Sequence, residues 1–405
     1  MTASRQLTVL HVAPTPFFSD RGCHLRIRGI VRGLDEYRVR SVVCTYPIGE
    51  DVPDVRVVRT VSVPGYRKKE AGPSPFKYIA DILMVFTVAR QIRKQRPDVL
   101  HCHLHEGVLI GWLARIAALK WRMPIVFDVQ GSLTGELEAH GYIRKGSVLY
   151  GVFAWAERII VRRSDVFVCS SESSARMLSQ LDEIDRSLIH VVPDGTDVDL
   201  STSYADVADQ DRSFVALYSG GLTESKGLSE LMKIIRESDR RKSKLRFIIV
   251  GYPTEKLHAF VMEHGLAHRC EIVGRVSYRD LPRYFKRAGL AIEPKMSGSG
   301  EASGKLLNYM AGGLPVVCFE TDNNNAMLGG LGFFVPLGDI DQFVDRMEEC
   351  ALDPDRRKEL SRAGVKRVHD NYSWSRSGAR VLDAYRSVDV LRSICPNDLV
   401  DRETV

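Results

Sequence analysis

Between Gly298 and Val317 the chain reads GSGEASGKLLNYMAGGLPVV: a glycine- and serine-rich loop, a short apolar stretch with helical spacing, then a β-branched strand. Small residues from Ser299 to Gly304 let backbone N–H groups converge on one point. The helix start adds partial positive charge, and Lys305 adds a full one. That is the chemistry of an anion site, suited to a phosphate or a diphosphate. Glu301 in the same loop repels phosphate, but a carboxylate there accepts hydrogen bonds from hydroxyl groups.

Two named motifs overlap this stretch. Gly298, Gly300 and Gly304 follow the strand GLAIEP, and Glu320 stands where a dinucleotide site places its ribose-binding acid. That reading implies an NAD-dependent oxidoreductase. Against it, the helix from Lys305 to Gly312 is only about two turns, the loop follows a late strand, and no similar loop follows the first. An ATP loop fits less well, because the first glycine has the wrong spacing and Leu306 sits where Ser or Thr must hold magnesium. A second cluster, HCHLHE at His101–Glu106, puts His101 and His103 on one face of a strand with His105 at its end. Three histidines so close could bind zinc, but no fourth ligand cluster is evident, and no metal is expected. The plainer alternative for His101 is a buried core position.

These residues have to be positioned by a larger frame. At 405 residues the chain suits two domains, and 44% hydrophobic with 27% charged residues is a globular composition. The eight cysteines are scattered without a CxxC pair, which reads as reduced thiols and a cytoplasmic location. Apolar runs of strand length alternate with helical patterns: LTVLHVA, VRSVVCTY, DVLHCH, PIVFDVQ, VFVCS and LIHVVP, then, after a polar stretch, FVALYSG, LRFIIVG, CEIVG, GLAIEP and PVVCF. Continuous apolar strands between helices mean parallel sheets covered on both faces, an α/β class. Doubly wound sheets bind ligands beyond the C-terminal ends of their strands. Net charge is +6, yet Tyr66–Asp165 alone carries 16 Lys+Arg against 9 Asp+Glu, a local +7. Solvated helix faces explain that excess, and so does an anionic membrane surface met from the cytoplasmic side. No nucleic-acid signature accompanies it.

Six segments, taken in order, resemble retaining GT-B glycosyltransferases of the large family-4 group: TPFFSDRGCHLR, PIVFDVQGS, IHVVPDGTDVD, YSGGLTESKG, EIVGRVSYRDLPRYFKRAGLAIEPK and EASGKLLNYMAGGLPVV. The resemblance covers nearly the whole chain. It implies two Rossmann-like doubly wound domains facing a central cleft. The N-terminal, acceptor-binding domain would span 1–195, a linker 196–212, and the nucleotide-sugar-binding domain 213–373, with a helix at about 374–395 packing back on the first. It further implies sugar transfer from a nucleotide diphosphate sugar to a glycan or lipid-linked hydroxyl acceptor, in polysaccharide or glycolipid assembly, with no cofactor and no metal.

Carried over by position, Lys226 matches the lysine that grips the donor diphosphate. The family's arginine falls on Gly221, and Lys305 is placed to replace it. Asn308 stands for the ribose-binding glutamate, and Glu301, one place along from the other glutamate of the pair, is expected to hold sugar hydroxyls. Gly220, Lys295, Ala302, Ser303, Gly304 and Leu306 complete the expected donor side, with Gly22 from the N-terminal glycine loop. Gln130 stands where the family has a histidine near the reacting sugar. It can donate a hydrogen bond but cannot titrate. Gln130, Lys226 and Glu301 are the expected catalytic residues, and Asp20, Arg21, His103, His105 and Glu106 the expected acceptor side. Gly221, Asn308 and Gln130 each depart from the family pattern. Those departures support an alternative, a binding homologue of low activity acting as a partner protein.

Overall fold

The computed structural model describes residues 5–19, 22–67, 75–139, 142–180, 184–196, 210–296 and 303–395. Thr8–Ala13 (β1), Arg40–Thr45 (β2), Val57–Arg59 (β3), Val99–His103 (β4), Ile125–Val129 (β5), Val166–Cys169 (β6) and Ile189–Val191 (β7) form one sheet, in the order β3-β2-β1-β4-β5-β6-β7. Val215–Ser219 (β8), Arg246–Val250 (β9), Cys270–Gly274 (β10), Leu290–Glu293 (β11), Val316–Phe319 (β12) and Phe333–Val335 (β13) form the second, in the order β10-β9-β8-β11-β12-β13. Every pairing is parallel. Strand order reverses between β1 and β4 in the first sheet and between β8 and β11 in the second. Those are the points where an open parallel sheet leaves a crevice for ligand.

Alternation between two cores explains why the strands read as largely apolar runs. In β1, Leu10 and Val12 enter the core on one face of the sheet while Val9 enters the core on the other. In β8, Ala216 and Tyr218 face one core, and Val215 and Leu217 face the opposite one. Both faces of each sheet are covered, as the sequence pattern implied.

The chain divides into two compact units, one within Met1–Gly195 and Trp374–Val405, the other within Thr196–Gly298 and Ala302–Ser373. The C-terminal helix Trp374–Arg386 joins the first unit by packing on the helix Gly22–Asp35. Three glycines make that contact: a Cβ on Gly29 would stand 2.1 Å from the Trp374 ring, one on Gly33 2.1 Å from the Trp374 carbonyl oxygen, and one on Gly378 2.4 Å from the Gly33 carbonyl carbon. Residues 197–209, most of the expected linker, lie outside the described residues. All eight cysteines are free thiols, six of them buried.

Candidate functional site

In the second unit the switch point is built from the ends of β8 and β11. The chain leaves β8 at Ser219, passes Gly220 and Gly221, and enters a one-turn 3-10 helix, Glu224–Lys226. Gly227 closes that turn with φ 87°, and a Cβ there would stand 2.7 Å from the Pro294 carbonyl oxygen. Only glycine fits this left-handed position against a neighbouring backbone. The turn carrying Lys226 is thereby held against the residues that follow β11.

β11 ends on Glu293, whose carboxylate is buried. Lys305 Nζ lies 3.0 Å from Oε1, the Ser303 hydroxyl donates to Oε2 at 2.7 Å, and the Lys295 N–H donates to Oε1 at 3.3 Å. Lys305, near the N-terminus of the helix Gly304–Ala311, also lies 4.5 Å from the centre of the Tyr218 ring and donates to its hydroxyl at 3.4 Å. The Tyr218 hydroxyl donates to the Gly221 carbonyl at 2.7 Å, with the Lys226 carbonyl at 3.3 Å. Burial, reinforced by the Glu293 carboxylate, pushes the Tyr218 phenol well above its ordinary range, so it stays a donor. The Tyr309 hydroxyl accepts the Ser219 N–H at 2.8 Å and fixes the strand end. One acid therefore organises an ammonium group, a hydroxyl and a backbone amide at the end of a parallel sheet. The Lys226 carbonyl faces the Tyr218 hydroxyl and the Lys295 N–H meets Glu293, so the backbones of two further lysines adjoin this strand end.

In the first unit the switch point carries a buried polar chain. Arg26, on the helix Gly22–Asp35, donates to Asp128 Oδ1 from Nε at 2.9 Å and from Nη2 at 2.7 Å, and to Asp194 at 2.6 Å from Nη1. The other Asp128 oxygen accepts from the Gln130 amide at 2.6 Å and lies 2.8 Å from His103 Nδ1. His103 Nε2 lies 3.1 Å from His11 Nδ1, and the His11, His101 and His103 rings stack, with His101 and His103 centroids 4.7 Å apart. Burial by itself would raise the Asp128 pKa, but Arg26 and then His103 outweigh it and hold the carboxyl far below the usual range. Burial first, and neighbouring histidines second, keep His11 and His101 well below the usual imidazole value and so neutral. His101, His103 and Asp128 place one ligand atom each within 4.8 Å of one another, and among the described residues His101 Nε2 has no hydrogen-bond partner. A guanidinium already occupies the carboxylate, and its charge opposes a metal cation at that point.

Residues 21–195 match the glycosyl transferase 4-like domain, and residues 204–367 match glycosyl transferases group 1. The chain belongs to the group 1 glycosyl transferases. A D-inositol 3-phosphate glycosyltransferase of Nocardia farcinica is 24% identical over 370 residues, covering 84% of this chain and 77% of that protein. The corresponding protein of Xylanimonas cellulosilytica is 26% identical over 318 residues, 71% of each chain. Among solved structures, the sucrose-phosphate synthase of Thermosynechococcus elongatus superimposes with a TM-score of 0.76 at 17% identity, covering 95% of this chain and 99% of that one. HepE of Anabaena in complex with UDP and glucose gives 0.75 at 16%, over 95% and 100%. At such identity these structures establish the GT-B fold of this transferase.

The transferase gathers Gly220, Gly221, Lys226, Lys295, Ser303, Gly304 and Lys305 around Glu293 and Tyr218. One turn along the same helix as Lys305, the Asn308 side-chain carbonyl accepts from the Tyr278 hydroxyl at 2.8 Å and from the Thr196 hydroxyl at 3.0 Å. The Leu306 side chain is buried in the core, and its N–H donates to the Ser303 carbonyl. Asp20, Arg21, Glu301 and Ala302 lie outside the described residues. Gly22 opens its helix, and among the described residues a Cβ added there would meet nothing within 4 Å. His103 is buried with both ring nitrogens engaged. His105 faces Glu157 at 3.3 Å, and Glu106 pairs with Lys77 at 2.6 Å. Burial pulls Glu157 upward, but hydrogen bonding to His105 and Thr134 takes it down to about 2, and its oxygens accept the first amides of the helix Leu133–Ala139. Sequence reasoning missed Glu293, Tyr218, Asp128 and Arg26. Each has a visible signal, a polar or charged residue inside an otherwise apolar strand or on a helix face that has to be buried.

Proposed function

We propose that the chain transfers a sugar from a nucleoside diphosphate sugar to a hydroxyl acceptor, with retention at the anomeric carbon, in polysaccharide or glycolipid assembly. The observation that carries this is the Lys305–Glu293 pair beside the Lys226 turn at the switch point of the second sheet, in a chain of this family. Lysine ammonium groups are compact charges that stabilise diphosphate oxygens as the leaving group develops negative charge. Lys305 fills the part of the diphosphate clamp that Gly221 leaves open. The Gln130 amide, held on Asp128, is a donor that cannot titrate; in this reading the leaving diphosphate oxygen takes the acceptor proton. UDP, which HepE is described as binding, is the first nucleotide to test.

The experiment is nucleotide release from UDP-sugars by the intact protein and by Lys226→Ala. Loss of about 100-fold or more in turnover with an unchanged melt supports the diphosphate role, whereas unchanged turnover overturns it. The second reading, a donor-binding homologue of low activity, is favoured by Asn308, whose carbonyl is already committed to Tyr278 and Thr196. It predicts nucleotide binding without donor consumption.

A further inference from the structure

Three helices of the first unit cover one face of its sheet: Pro75–Gln95, Leu104–Ala117 and Val148–Val161. The first packs on the second, and the second on the third. Their inner faces are ordinary core, but their outer faces are not polar. On the first helix Ile79, Ile82 and Phe86 are 49%, 62% and 66% exposed; on the third Val148, Val152 and Trp155 are 87%, 53% and 65% exposed. Steps of three and four residues put each set in a single stripe. Leu109 and Leu113, 41% and 39% exposed at a step of four, continue the apolar surface on the helix between them. Monomeric soluble proteins rarely expose apolar side chains in contiguous rows across three elements.

The charges around this surface are ordered. Each helix returns the chain to the start of another parallel strand, so all three run the same way and their C-terminal ends gather at one edge. Arg90 and Lys94 end the first helix, Lys120 and Arg122 follow the second, and Arg158 and Arg162 end the third. Arg163 adds a link across that edge, with its guanidinium 4.8 Å from the centre of the Trp112 ring. Three acids of this region are engaged within the unit: Asp81 accepts from Tyr46, Glu106 holds Lys77, and Asp165 accepts the Ile125 N–H with Arg115 beside it. The result is an apolar face with a cationic edge.

We propose that this face docks the protein on an anionic lipid bilayer, with the apolar stripes in the headgroup–acyl boundary and the basic edge on lipid phosphates. Charge decides between occupants. A second copy of this face brings the same cationic edge and meets it with repulsion, whereas an anionic bilayer supplies both the apolar depth and the opposite charge. Among the described residues no helix is long and apolar enough to cross a membrane. The docking inferred here is therefore on one surface and reversible. It does not depend on the sugar-transfer reading.

The test is flotation of the full chain with vesicles of phosphatidylcholine alone and of phosphatidylcholine with about one-third phosphatidylglycerol. The expected result is at least about tenfold stronger partitioning to the anionic vesicles, weakened by salt as the Debye length shrinks from about 10 Å at 0.1 M to about 3 Å at 1 M. The double substitution Phe86→Ser with Trp155→Ser lowers partitioning at least about tenfold at an unchanged melting temperature, because both side chains are already exposed. Arg90→Gln, Lys94→Gln and Arg122→Gln lower it by about fivefold each. Equal partitioning to both vesicle types, or wild-type partitioning by the serine variant, overturns the proposal. So does a concentration-dependent dimer that Trp155→Ser dissolves, in a protein that ignores both vesicle types.

Discussion

Lys305→Met and Glu293→Gln remove opposite halves of one ion pair, and the structure makes their consequences unequal. The Glu293 side chain is 1% exposed and the Lys305 side chain 13%. Losing the lysine leaves a buried carboxylate without its cation, and breaking such a pair costs about 3–5 kcal/mol. For a unit of roughly 150–250 residues each kcal/mol is worth about 2–4 °C, so the transition of the second unit falls by about 10 °C. Losing only the charge of the acid is milder. A glutamine still accepts from Ser303, and Lys305 keeps the Tyr218 ring and hydroxyl, so the cost is about 1–2 kcal/mol. Nucleotide affinity separates the variants further. Lys305→Met removes a charge-assisted contact worth about 1.5–3 kcal/mol, and UDP binds about 10- to 100-fold more weakly. Glu293→Gln removes the internal competitor for the same ammonium group, and affinity holds or rises. Calorimetric melts and UDP titration of the three proteins decide the matter. Equal melting losses in the two variants, or unchanged UDP affinity in Lys305→Met, would falsify this view of the pair.

The turn at Gly227 and the buried histidines can be probed in the same way. Gly227→Ala forces a side chain into a left-handed position facing the Pro294 carbonyl, and is expected to cost about 2–3 kcal/mol and to weaken UDP binding by displacing Lys226; a melt indistinguishable from wild type would count against it. Acid weakens the first unit because His11 and His101 are held neutral: their folded values lie below the unfolded value of about 6.5, so the stability is complete above that pH and is lost as pH falls beneath it. Each contributes up to about 1.4 kcal/mol per pH unit. Urea midpoints for that unit measured on either side of about pH 6.5 check the direction, and equal midpoints contradict it.

The parallel sheets were legible because burial on both faces makes β1, β4, β5, β8 and β11 largely apolar runs, interrupted by residues such as His11, His103, Asp128 and Glu293. Two strands escaped. Val57–Arg59 and Phe333–Val335 are three residues long and lie at sheet edges, too short for any period to register. The helix Glu172–Ser179 also escaped, since ESSARMLS is short and polar and reads as a loop until Ser171 is seen capping it. At the site, the glycines and lysines were legible because local chemistry declares them. Glu293 was not, because its partner Lys305 comes only after the loop and is brought near by the turn of one strand into the next helix. Asp128 and Arg26 meet across 102 residues of sequence, a pairing that only the wound sheet creates. The histidines of HCHLHE could be put on one strand face by alternation, but that they stack inward against His11 depends on the parallel register of β1 with β4.

The most direct test of the donor-binding claim is a thermal-shift panel of UDP, GDP, ADP, dTDP and NAD, each with and without magnesium. A ligand at about 100 times its dissociation constant stabilises by about 2.7 kcal/mol. One nucleoside diphosphate is expected to raise the melting temperature without a metal requirement, and the shift is expected to disappear in Lys226→Ala. A shift with NAD alone, or with no nucleoside diphosphate at all, contradicts the claim.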